Sequence, residues 1–124
     1  IKDVPKVMVY DLCNHINFRS ESEIIPQSVI NKPPSAELKP DQKDSDTLPS
    51  YDILDPILEQ YVERDKSYQE IKEMGFDPDI IKGIITLVDR SEYKRRQSPP
   101  GVKITPKNFG RDRRMPISNR YKPF

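Results

Sequence analysis

Apolar residues recur at helical spacing in three stretches of this chain, and no stretch alternates convincingly as a strand would. Val9, Leu12, Cys13 and Ile16 fall at i, i+3, i+4 and i+7, which puts them on one face of a helix predicted from about Pro5 to Asn17. Pro5 suits its first turn, where a missing N–H costs nothing. A short helix is expected at Pro26–Asn31, again opened by proline. Ile53, Leu54, Ile57, Leu58, Tyr61 and Val62 form a wide apolar stripe over residues 51–63, with Ser50 or Asp55 as cap and Pro56 in the first turns. Ser67 and Glu70 make a capping box for a short helix ending near Gly75. Asp77-Pro78 opens another helix, lined by Ile80, Ile81, Ile84, Ile85 and Val88. The stripes at 53–62 and 80–88 read as core faces that pack on each other or on a sheet outside the chain.

The remaining stretches lack this order. Residues 32–50 (KPPSAELKPDQKDSDTLPS) contain four prolines and read as a long loop, either a functional lid or a linker. From residue 98 the chain is basic, punctuated by proline and without periodicity.

Composition sharpens this picture. Of 124 residues 34% are hydrophobic, 33% are charged and 13 are proline, so one small core is the most the chain can bury. Such a chain is either partly disordered alone or packed against something else. Its beginning at Ile1 rather than Met suggests truncation or processing. The net charge of +1 hides an asymmetry: residues 1–89 hold 10 basic and 18 acidic side chains, residues 90–124 hold 11 and 2. The basic end calls for an anionic partner: nucleotide phosphates, nucleic acid, or the acidic body of the same protein. One cysteine excludes an intrachain disulfide, and no apolar run approaches the ~18 residues of a membrane span. A soluble, cytoplasmic protein that does not engage membranes is expected.

No self-sufficient catalytic constellation is visible. Four glycines form neither a dinucleotide fingerprint nor a phosphate loop. Cys13 and His15 are too few for a structural zinc site, and two residues apart on one helix their side chains diverge. Two stretches carry chemistry. In Lys32-Pro33-Pro34-Ser35-Ala36-Glu37-Leu38 a stiffened backbone presents a cation and a hydroxyl suited to a phosphate chain, or forms a plain surface turn. In Ser91-Glu92-Tyr93-Lys94-Arg95-Arg96-Gln97 three adjacent cations sit beside a ring that can stack on a base, or form a solvated helix end.

Taken together with Val4-Pro5-Lys6-Val7, QKDSDTLPSYDILDPIL (42–58) and SEYKRRQSPPGVKITPKNFGRDRRMPISNR (91–120), these stretches resemble, in order and nearly throughout the chain, the C-terminal part of the NAD synthetase family in its bacterial glutamine-dependent branch. The resemblance implies a mainly α-helical piece of an α/β, Rossmann-like synthetase domain of the adenine nucleotide hydrolase type. Residues 1–97 would end that domain, with a flexible loop at about 32–50, and residues 98–124 would be a basic tail. It also implies an ATP-dependent amidation of deamido-NAD to NAD through an adenylated intermediate, with ammonia drawn from glutamine.

Residue by residue, the resemblance assigns Lys6 and Ser35 to ATP, and Tyr93 and Lys94 to deamido-NAD. Tyr93 stands where the ammonia-dependent branch has histidine, so its contact would become stacking or a phenolic hydrogen bond. No catalytic residue and no metal ligand falls within the chain; the magnesium ligands, synthetase core and glutaminase domain belong upstream, and a homo-oligomer is expected. By this reading the chain alone is inactive and has no nucleic-acid partner. Arg111, Arg113 and Arg114 are expected to pack on acidic surfaces rather than touch ligand. The alternative is a basic-tailed module that binds nucleic acid through Tyr93, Phe109, Tyr121 and Phe124, or a structural interaction segment.

Overall fold

The computed structural model describes residues 2–32 and 48–124, which are helical wherever they are regular. They divide into two compact units, Pro5–Ile53 and Ile1–Val4 with Leu54–Phe124.

In the first unit α1 spans Lys6–Arg19, with Pro5 as its N-cap and Arg19 placed favourably in the last turn. The predicted helix therefore forms, but its apolar face is not buried. Leu12 is 47% exposed, Ile16 and Met8 are also exposed, and α1 buries no residue. Met8, Val9, Leu12 and Ile16 share one face while Phe18 lies off it, and among the described residues of this unit no second apolar stripe covers them. After α1, the Asn17 side-chain amide donates to the Ile25 carbonyl at 2.8 Å and accepts the Ile25 N–H at 2.8 Å. That two-way bond fixes the turn leading to α2, Gln27–Ile30.

The second unit holds the core. α3 spans Tyr51–Leu58 and runs into a π-helical turn at Glu59–Glu63, so the expected helix over 51–63 forms with a wider last turn. Pro56 lies inside α3 rather than at its start, and it can give no N–H to the helix ladder. α4 is Tyr68–Glu73. Its cap is the predicted one: the Ser67 hydroxyl accepts the Glu70 N–H, and the Glu70 carboxylate accepts the Ser67 N–H. Gly75 follows with φ of +95°, a left-handed turn that glycine adopts without steric cost. α5 is Pro78–Arg90, capped by Asp77, whose carboxylate accepts the N–H groups of Asp79 and Ile80.

Leu54, Ile57, Tyr61 and Val62 from the first stripe are buried, as are Ile81, Ile84, Ile85 and Val88 from the second. α4 touches both the π-helical turn and α5, and it contributes Ile71 to the same core. Each such side chain adds roughly 1.5–3 kcal/mol when fully buried. Beyond α5 a single turn at Ser91 leads into α6, Glu92–Gln97, and an irregular tail follows. At its far end Phe124 meets the Tyr68 ring at 5.6 Å.

Candidate functional site

α6 is six residues long and sorts its side chains by face. Glu92 is 1% exposed and Arg95 is buried beside it, whereas Tyr93 is 48% exposed and Lys94 stands in solvent. The sorting follows from one carboxylate. Glu92 accepts hydrogen bonds from Arg95 Nη2 at 3.0 Å, Arg96 Nε at 2.9 Å, Arg114 Nη1 at 3.2 Å and the Met115 N–H at 3.1 Å. Burial pushes the Glu92 carboxyl upward, but the donors from Arg96, Met115, Arg95 and Arg114 outweigh it and hold it at about 2. Arg95 also donates to the Val88 carbonyl, and its guanidinium lies 5.2 Å from the Phe109 ring centroid.

A second buried carboxylate lies one turn back. Asp89, on α5, has the Tyr61 hydroxyl 3.0 and 3.1 Å from its two oxygens and Arg113 Nη2 at 3.6 Å. The Arg113 guanidinium stacks 3.9 Å from the Tyr61 ring centroid. Burial, against the attraction of Arg113 and with the repulsion of Asp89, pushes the Tyr61 phenol up to about 12.

The same arrangement recurs along the tail. Asp3 accepts the Phe109 N–H at 3.0 Å and the Ile104 N–H at 3.2 Å. Asp65 pairs with Lys107 and has Arg113 at 4.0 Å. Four acids of the body (Asp3, Asp65, Asp89, Glu92) thus bind the backbone or the cations of the tail. Of the three anionic partners the charge asymmetry allowed, the acidic body of the same chain takes Lys107, Arg113 and Arg114. The premise of a nucleic-acid-binding tail is weakened to that extent.

Of the three adjacent cations at 94–96, two are taken up within the chain. Arg95 and Arg96 are committed to Glu92, and of the three only Lys94 lacks a side-chain partner among the described residues. The i, i+3 and i, i+4 spacing of Glu92 to Arg95 and Arg96 was visible in the sequence. Nothing local in the sequence announced Arg114, which arrives from 22 residues away.

The structure brings Tyr93 and Lys94 together on the outer side of α6. Lys6 lies in the other unit, in the first turn of α1, half-buried and with its ammonium 5.1 Å from the Tyr10 ring centroid. Ser35 falls outside the described residues, as do Asp44 and Asp46. Arg111 is exposed and unpaired through its side chain among the described residues. Among those residues no three His, Cys, Asp or Glu side chains are grouped so as to hold a metal ion. No described helix is long and apolar enough to cross a membrane.

The sequence model of the NAD synthase family matches residues 1–98. The glutamine-dependent NAD(+) synthetase of Acinetobacter baylyi is 51% identical over 123 residues, covering 99% of this chain and 23% of the relative. That of Synechocystis is 51% identical over 123 residues, 99% of this chain and 22% of its own length. The solved structure of glutamine-dependent NAD+ synthetase from Acinetobacter baumannii in complex with ADP superposes with a TM-score of 0.59 at 40% identity, over 100% of this chain and 21% of that one. The chain therefore spans less than a quarter of the length of these relatives, and the tail beyond residue 98 is shared with them although it lies outside the family match. From the helices to the last residues of the tail the likeness is continuous, and this chain belongs to the NAD synthase family.

Proposed function

We propose that this chain supplies part of the substrate-binding surface of a glutamine-dependent NAD synthetase. In the reaction ATP transfers AMP to the nicotinate carboxylate of deamido-NAD with release of pyrophosphate. Ammonia then attacks the adenylated carbonyl, AMP leaves, and the amide of NAD is formed. On this reading Tyr93 and Lys94 contact deamido-NAD, while Lys6 and Ser35 contact ATP; this chain contributes cations that offset repulsion between two polyanionic substrates. The observation that carries it is the sorting on α6: the other charged side chains of this helix pair inside the chain, and Lys94 with Tyr93 is left turned outward.

The rest of the enzyme completes the reading. Residues 1–97 close a Rossmann-like α/β synthetase domain of the adenine nucleotide hydrolase type, 98–124 form its tail, and the 32–50 segment serves as a loop over bound nucleotide. The magnesium ligands are expected in the synthetase core, and ammonia comes from a glutaminase domain. The uncovered apolar side chains of α1 fit contact with that core or with a second subunit of a cytoplasmic homo-oligomer.

The test is Lys94→Ala in the full-length protein, with ammonia as nitrogen donor. Losing one charge-assisted contact of about 1.5–3 kcal/mol should raise the KM for deamido-NAD by roughly tenfold or more. Glutamine hydrolysis should be unaffected. An unchanged KM would remove Lys94 from the site.

A further inference from the structure

The tail does more in this structure than neutralise charge. α6 has six residues and no side-chain cap at its start, too little to hold a helix by itself. Its orientation must come from whatever grips its inner face. Arg95 and Arg96 move with α6, so their bonds to Glu92 stiffen the helix without locating it. The external references are the Val88 carbonyl, which Arg95 reaches, and the tail, which sends Arg114 and the Met115 N–H to Glu92. Residues 93 and 94 directly follow Glu92 in sequence. With about 100° of rotation per helical residue, a small turn of α6 carries both away from their outward direction.

We propose that Glu92 and Arg114 are positioning residues, through which the tail sets the direction that Lys94 and Tyr93 present to deamido-NAD. The proposal rests on the assignment of Lys94 to that substrate. It gives the tail, which lies beyond the family match at residue 98, a role in binding one substrate only. Arg114 is the more informative of the pair to change. Its side chain is 49% exposed, and without it Glu92 keeps Arg95, Arg96 and the Met115 N–H.

The experiment is a double-mutant cycle in the full-length enzyme, with steady-state kinetics on deamido-NAD and on ATP and with ammonia supplied. Arg114→Ala should raise the KM for deamido-NAD on the order of three- to tenfold, the scale of one misdirected ionic contact. The turnover number and the KM for ATP should stay near wild type, a split that general destabilisation would not produce. Arg114→Lys should recover part of the loss. The double variant Arg114→Ala/Lys94→Ala should fall clearly short of the sum of the two single losses, because the tail acts through Lys94, with any remainder acting through Tyr93.

Additive effects would overturn the proposal, since Arg114 would then act by another route. A wild-type KM in Arg114→Ala beside a raised KM in Lys94→Ala would also overturn it and leave the substrate assignment standing. A silent Lys94→Ala would sink that assignment and the proposal with it. If Arg114→Ala protein is not recovered, the same cycle with Arg114→Lys applies, with a smaller rise and the same criteria.

Discussion

Glu92 concentrates most of what is unusual in this molecule: a carboxylate 1% exposed with three guanidinium groups and a backbone N–H upon it. A group held at about 2 against an ordinary 4.5 stabilises the folded state when ionised. That contribution, of about 3 kcal/mol, is present in full above pH 4.5 and is lost as pH falls through about 2. A carbon-detected titration should find the Glu92 carboxyl still ionised at pH 3.5, and Arg114→Ala should move its midpoint upward. At this scale the sequence was half legible. Lys94 and Tyr93 stood out as an exposed cation and ring, and Arg95 and Arg96 looked equally available. Their pairing with Glu92 follows from spacing along one helix, whereas Arg114 and Phe109 approach only once the tail has folded back.

Among the elements, capping chemistry was the most legible because it is local. Ser67 with Glu70, Gly75, and Asp77 before Pro78 define their helix ends within four residues of sequence, and each end lies where those residues place it. Ser67→Ala should cost about 1 kcal/mol, seen as roughly fivefold faster hydrogen exchange in the α4 amides with α5 little changed. The π-helical turn at Glu59–Glu63 was not legible, since its apolar spacing fits an ordinary helix equally well. Nor was the exposure of α1. A periodic stripe reports which face would be buried, while burial itself needs a partner surface, and the Pro5–Ile53 unit buries no residue of α1 or α2.

For the whole molecule the asymmetry of charge proves to be architecture. A body rich in acids and a tail rich in bases are bound together through Asp3, Asp65, Asp89 and Glu92. Removing residues 111–124 would leave Asp89 with only the Tyr61 hydroxyl and Glu92 with only its own helix as partners. Breaking a buried pair such as Asp89–Arg113 costs about 3–5 kcal/mol, and the loss at Glu92, which keeps Arg95 and Arg96, is smaller. The truncated full-length protein should therefore lose protection in α6 and the end of α5 while the amides around Ile71 and Ile81 persist, a pattern that exchange mass spectrometry reads directly. Uniform loss across α4 and α5 would show instead that the tail is part of the core.

The bonds from Asp3 to Ile104 and Phe109 join positions 101 and 106 apart, whereas α4 and α5 meet across a short turn. Local helices settle in about a microsecond, but long-range closures wait until the entropy of the intervening chain has been overcome. The order of assembly follows: the α4–α5 pair forms early, and the two buried carboxylates stay hydrated until the tail returns. A folding chain would thus pass through a species with its helices in place and α6 still unanchored. The outward set of Lys94 is among the last features to mature, so on the proposed assignment its contact with substrate comes into being at the step that closes the fold.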